Sequence, residues 1–332
     1  MPAHLPARPA GRTVVIGAGK GSAQMAAALE ELWDRPLEGV VVTRYGYGAS
    51  CRAIRVLEAA HPVPDAAGLK ASNALLQAVR GLSSDDLVIA LISGGGSALL
   101  PAPPGDLTLA DEQALNSALL DSGAPIGVMN AIRKQVSLIK GGRLAAAAHP
   151  ARVATLVVSD VPGDDPAEVA SGPTVPSSVT LHETLAMIRN RGIKMPPRIL
   201  AYLENGDEAP LPADPVFAGN EVRVIASARL SLEAAAAKAW AADIPTVILS
   251  DAIEGEARDI GLMHAAIARE VVAHGRPFAP PVLILSGGET SVTLREKGGR
   301  GGRNTTFLLS FAEAIDGIGG ITALAADTDG ID

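Results

Sequence analysis

The feature that most constrains this chain is an alternation. Short β-branched runs are each followed by an Ala- and Leu-rich stretch of helical length, along nearly all 332 residues. A strand that returns parallel to its predecessor needs a long crossover, so this rhythm selects helices packed on a parallel sheet. Expected strands are Thr13–Ile16, Gly39–Thr43, Arg52–Glu58, Leu87–Ile92 and Thr155–Ser159. Expected helices are Ser22–Leu32, Ala66–Val79, Leu109–Ser122 and one or two over Ile126–Ala148. The fold class is α/β, and the first half reads as a three-layer, Rossmann-like domain.

Beyond Ala170–Pro176 the rhythm weakens, and prolines stand at 196, 197, 210, 212 and 215. A boundary near 215 follows, giving two unlike α/β domains over 1–215 and 216–332. The second half restarts with strand Glu221–Ile225, helix Leu230–Ala242, strand Pro245–Leu249, helix Glu256–His274, strand Val282–Ser286, helix Thr305–Ile315 and strand Ile321–Ala325. No helix follows to cover that last strand, so the second domain is expected to be truncated at its C-terminal end. The Pro-rich start, MPAHLPARPAGR, is expected to be a poorly ordered lead-in.

Composition narrows the function. Apolar residues make up 48% but aromatics only 3%, so the core is built from Ala, Val, Leu and Ile. With 28 basic against 36 acidic residues the net charge is −8, the wrong sign for a chain that displaces counterions from nucleic acid. The single cysteine permits no internal disulfide and the six histidines lack metal-finger spacing, which suits a reducing, cytoplasmic setting. No apolar run approaches the roughly 20 residues of a membrane helix. The composition leaves a homodimer open.

Four Gly-rich segments carry the chemistry: Gly17-Ala18-Gly19-Lys20-Gly21-Ser22, Ser93-Gly94-Gly95-Gly96-Ser97, Ser286-Gly287-Gly288-Glu289-Thr290, and Gly298-Gly299-Arg300-Gly301-Gly302-Arg303-Asn304. Each follows a strand or opens a helix, where glycines bring backbone N–H groups close to an anion. A single such segment is as well explained as a tight turn; four point to a polyanionic ligand. The first fails the spacing of a Walker A loop, because Val14 stands where a glycine is needed and Gly21 follows Lys20. It has two of the three glycines of a dinucleotide fingerprint, and Thr43-Arg44-Tyr45 replaces the acid that would hold a ribose. Lysine and arginine inside such loops suit phosphate.

Asp160, Asp327 and Asp329 stand at expected strand ends, and Glu289 follows a glycine pair. Carboxylates there hold Mg²⁺ or accept a proton from an attacking hydroxyl; the ordinary alternative is a cap or an Asx-turn, which is favoured for Asp164 and Asp165. His61, in the rigid His61-Pro62-Val63-Pro64-Asp65 loop, is either a substrate contact or a structural residue, and Lys140 and Arg143 are either anion contacts or a helix terminus.

Read together, nine ordered motifs resemble the glycerate 2-kinases of the MOFRL type: Ile16-Gly17-Ala18-Gly19-Lys20, His61–Asp65, Ser93–Ala98, Leu138–Leu144, Ser159–Asp164, Ala170–Thr174, Ser286–Thr290, Gly301–Asn304 and Asp327–Gly330. The resemblance implies ATP-dependent, Mg²⁺-assisted phosphorylation of D-glycerate to 2-phosphoglycerate, with the site in a cleft between two α/β domains. By motif it implies Lys20, Arg303, Asp160 and Asp329 as catalytic candidates. Gly17, Gly19, Lys20, Gly94, Gly95, Gly96, Ser97, Gly287 and Gly288 would cradle the nucleotide, and Asp160, Glu289 and Asp329 would hold the metal. The chain departs from the family pattern in lacking an initial helix, in ending at Asp332 and in carrying Thr305 where Gln is common. Two rivals remain at this point: an NAD(P)H-dependent hydroxypyruvate reductase and a non-catalytic sugar-phosphate-binding protein.

Overall fold

The computed structural model describes residues 1–293 and 301–327. It divides into two compact units, one of residues 1–159 and 164–226, the other of 160–163 and 227 onward.

The first unit is built on a six-stranded, wholly parallel sheet of β1 (Thr13–Ala18), β2 (Glu38–Arg44), β3 (Ile54–Ala59), β4 (Leu87–Ser93), β5 (Arg152–Val158) and β6 (Glu221–Ala226), in the order β3-β2-β1-β4-β5-β6. β1 and β4 are buried at every residue, as strands covered on both faces must be. The crossovers contain α1 (Ser22–Leu32), α2 (Ala66–Ala78), α3 (Gly96–Leu99), α4 (Leu109–Asp121), α5 (Ile126–Gln135) and α6 (Arg143–Ala148); α7 (Leu181–Arg191) and α8 (Pro197–Asn205) precede β6. Met25 and Leu29 of α1, with Trp33 at its C-terminal cap, pack with Val15, Leu87, Ile89 and Leu91 of the sheet. A second apolar cluster joins α4, α5, α7 and α8 through Leu115, Ile132, Ile188 and Leu203. Asp65 caps α2 by accepting from the Gly68 N–H, and Thr180 and Glu183 form a capping box on α7.

The second unit contains α9 (Ala228–Trp240), β7 (Thr246–Glu256), α10 (Ala257–His274), β8 (Leu283–Ser291) and α11 (Arg303–Ala314), with β7 and β8 paired in parallel. Among the described residues no helix is long and apolar enough to cross a membrane.

Three expectations are corrected. The strand near 221 does not open the second half: it pairs with β5 and completes the first sheet, so that sheet extends beyond residue 215. The segment 321–327 is irregular rather than a strand, since among the described residues no ladder pairs it. The N-terminal lead-in is held: Met1 and Leu5 pack against the core, and the Gly11 N–H donates to the Asp85 carbonyl at 2.8 Å. The stretch over Ile126–Ala148 is two helices, broken where Gly141 and Gly142 take positive φ.

Candidate functional site

Strand order in the first sheet reverses between β1 and β4, and the crevice outside the carboxyl ends of such strands is where open α/β sheets receive ligands. The first two Gly-rich segments leave the sheet at this point. Their amides are not equivalent. Gly19 N–H donates to the Val42 carbonyl at 3.1 Å, Lys20 N–H to Gly94 at 2.9 Å, Ser22 N–H to Gly19 at 3.2 Å, and Gly21 N–H to Ser93 Oγ at 3.0 Å. The first loop therefore spends its N–H groups on β2 and on the second loop. This corrects the expectation that it cradles an anion through its backbone; the loop's cationic group is the Lys20 side chain, whose Cγ lies against Gly95. Gly19 has φ 134°, and a Cβ there would lie 2.2 Å from Ser93 Oγ, so this seam requires glycine. In the second loop, Gly95 and Gly96 donate to no acceptor among the described residues.

Gly95 is where the cluster closes. A methyl group built on it would stand 3.1 Å from both His61 Nε2 and Lys20 Cγ. Burial, reinforced by the charges of Lys20 and Arg44, pushes the His61 pKa below the ordinary histidine value, so the ring is neutral near pH 7. Arg44, at the end of β2, lies 3.7 Å over the Tyr47 ring and donates to its hydroxyl. Sequence reasoning treated Arg44 only as the absence of an acid; a cation at a strand's carboxyl end was the signal to follow.

Lys140 and Arg143 are structural. Lys140 is 2% exposed and donates to Glu112 at 2.7 Å, and Arg143 donates to the Lys134 carbonyl at 2.8 Å.

In the second unit the turn expected at Ser286–Thr290 is continuous strand. Gly288 pairs with Ile253 and Glu289 with Glu254, and the glycines allow a close approach, since a Cβ on Gly288 would lie 2.1 Å from the Ile253 carbonyl oxygen. Gly287 and Gly288 line a cavity of about 200 Å³ together with His264, Ser286, Asn304 and Phe307. His264 Nδ1–H donates to the Ile260 carbonyl at 2.8 Å, and its Nε2 is hydrogen-bonded to the Ser286 hydroxyl at 3.0 Å. Arg303 opens α11 and bridges two carboxylates, Glu289 and Asp327, the latter at 3.1 Å. Burial pulls its pKa down, but these two acids outweigh that and hold it above the ordinary arginine value.

Asp160 is exposed just beyond β5. Asp329 and residues 298–300 lie outside the described residues. Among the described residues no group of three His, Cys, Asp or Glu side chains could hold a metal alone. Mg²⁺ needs no such cage, since one or two carboxylates and the substrate phosphates complete its shell. Asp160 and Glu289 are both carboxylates of that kind, and Glu289 is paired with Arg303.

Residues 2–204 match the family described as domain of unknown function DUF4147, and residues 282–332 match the MOFRL family. An Agrobacterium vitis protein provisionally named a hydroxypyruvate reductase is 53% identical over 331 residues, covering 99% of this chain and 75% of its own length. The glycerate 2-kinase of Pyrococcus horikoshii is 38% identical over 328 residues, 97% of this chain and 73% of that protein. The crystal structure of Thermotoga maritima glycerate kinase superposes with a TM-score of 0.81 at 35% identity, covering 93% of this chain and 73% of that one. The two matched families and these likenesses agree: the chain belongs to the glycerate kinase family, with a DUF4147 and a MOFRL domain.

Proposed function

We propose that this enzyme transfers the terminal phosphoryl group of ATP to the 2-hydroxyl of D-glycerate, giving 2-phosphoglycerate and ADP. The observation that carries the reading is the convergence of Lys20, His61 and the Gly95–Gly96 amides at the switch point of the first sheet. Phosphoryl transfer is catalysed by positioning and charge neutralisation more than by covalent chemistry. Lys20 is the cation for the transferring group, and the second loop, Gly94 to Ser97, supplies rigid contacts beside it. Gly17 and Gly19 serve by fixing Lys20. His61, neutral, is a hydrogen-bonding contact that adds no charge.

In the second unit Arg303 is the second cation, held in place by Glu289 and Asp327, and Gly287 and Gly288 shape the cavity beside it. Asp160 is the carboxylate suited to Mg²⁺, and Asp329 follows the same motif logic as a metal or base candidate. When bound, the metal would neutralise charge on the nucleotide's β- and γ-phosphates. Two features weigh against the reductase name of the Agrobacterium vitis relative: β2 ends in Arg44, where the ribose of NAD needs an acid, and for either NAD or NADP the first-loop amides that would receive the pyrophosphate are bonded to Val42, Ser93 and Gly94. One assay decides: ADP release that requires glycerate, ATP and Mg²⁺ supports the kinase, and NADH or NADPH oxidation with hydroxypyruvate would replace it with the reductase.

A further inference from the structure

Two motifs, Leu138–Leu144 and Ala170–Thr174, have no part in the site just described, yet they meet behind the second glycine loop. Ala170 and Ser171 are consecutive non-glycine residues with φ 54° and 59°, a conformation that persists only where the surroundings enforce it. They are enforced here. Gly141 N–H donates to the Ser171 carbonyl at 3.1 Å and Gly142 N–H to that of Gly172 at 2.7 Å. Ala170 also packs so tightly on the loop that a Cβ at Gly96 would lie 2.6 Å from its own. The Ser171 hydroxyl is thereby held 2.8 Å from that of Ser97.

The direction of that hydrogen bond can be read from the groups behind it. One end of the Asn130 amide meets the Glu168 carboxylate at 2.7 Å, which accepts only, so that end is Nδ2. The other end meets the Arg133 guanidinium at 3.2 Å, which donates only, so that end is Oδ1. Lys134 locks Glu168 from its other oxygen at 2.6 Å. Ser171 Oγ, 3.2 Å from Asn130 Oδ1, must donate its single proton there. Its oxygen is then the acceptor for Ser97, whose own proton is turned inward. Asn130, Lys134 and Ser171 are each at most 4% exposed, so water does not compete for these bonds, while Ser97 is only half-buried.

We infer that Ser97 meets its ligand with lone pairs only, and that it therefore receives a hydroxyl of the hydroxy-acid substrate and not a phosphate oxygen, with Ser171 and Asn130 as the positioning residues. An unprotonated phosphate oxygen has no hydrogen to give, whereas each glycerate hydroxyl has one. This rests on the kinase reading above and moves Ser97 from the nucleotide to the acceptor.

Titration calorimetry of D-glycerate and of ATP separately, on the wild type and on Ser97→Ala, Ser171→Ala and the double variant, tests it. Losing one neutral hydrogen bond is expected to weaken glycerate about tenfold in Ser97→Ala and several-fold in Ser171→Ala, with ATP affinity within about twofold. The double variant should be no worse than Ser97→Ala, because the two hydroxyls act as one unit. Ser97→Thr, which keeps the hydroxyl, should restore glycerate binding. Weakened ATP with unchanged glycerate, or two independent losses that add, would overturn the inference. Failure of the wild type to release ADP with glycerate would instead overturn the kinase reading itself, and melting curves of each variant identify loss of fold.

Discussion

At the scale of single residues, Lys20 illustrates what a motif can and cannot say. A lysine inside a glycine loop at a strand end was legible, and Lys20→Ala is expected to lower turnover at least about a hundredfold in the ADP-release assay; Arg303→Ala should do likewise. That the surrounding amides are spent was not legible, because their acceptors, Val42, Ser93 and Gly94, are distant in sequence and are recruited by the sheet. His61 offers a second check. Its pKa is depressed by burial and by Lys20, so the unfolded chain binds more protons than the folded one just below the ordinary value of about 6.5. Stability from this residue is complete above that pH and is lost as pH falls toward the folded value. An NMR titration should find its midpoint below 6.5, and Lys20→Met should raise it. The Lys140–Glu112 pair follows a different logic: Glu112→Ala alone strands a buried ammonium and should cost about 3–5 kcal/mol in denaturant titrations, while joint replacement by apolar residues of similar size should cost far less.

Among elements, the four inner strands β1, β2, β4 and β5 and the helix α1 were readable because buried parallel strands are largely apolar and their helices periodic. The glycine pair Gly287-Gly288 misled for a physical reason. Glycine marks a turn through its freedom of φ and equally marks a close approach of two strands, and only the partner, Ile253 on β7, tells which. Gly288→Ala should therefore push β7 and β8 apart, cost about 3 kcal/mol and speed hydrogen exchange over residues 246–256. α7 and α8 lay in a stretch that prolines made look like a linker. Their signatures were present all the same: Thr180 and Glu183 as a capping box, and Pro197 at the first helical position, where a missing N–H costs nothing.

For the molecule as a whole, the membership of β6 was the least legible fact, since a short apolar run carries no mark of which sheet it joins. Its pairing with β5 closes the first sheet and encloses two apolar clusters within residues 1–226. A chain of those residues is expected to fold alone, with a cooperative thermal transition by circular dichroism; a broad, non-cooperative melt would contradict it. The strand order has one more consequence, for synthesis. As the polypeptide leaves the ribosome, β2 is available almost at once to one side of β1, but the other side must wait for β4, some seconds later at ordinary elongation rates. During that interval the future centre of the sheet is an open edge on a nascent chain, and this is the moment at which crowding or a slowed codon would divert the protein into aggregates.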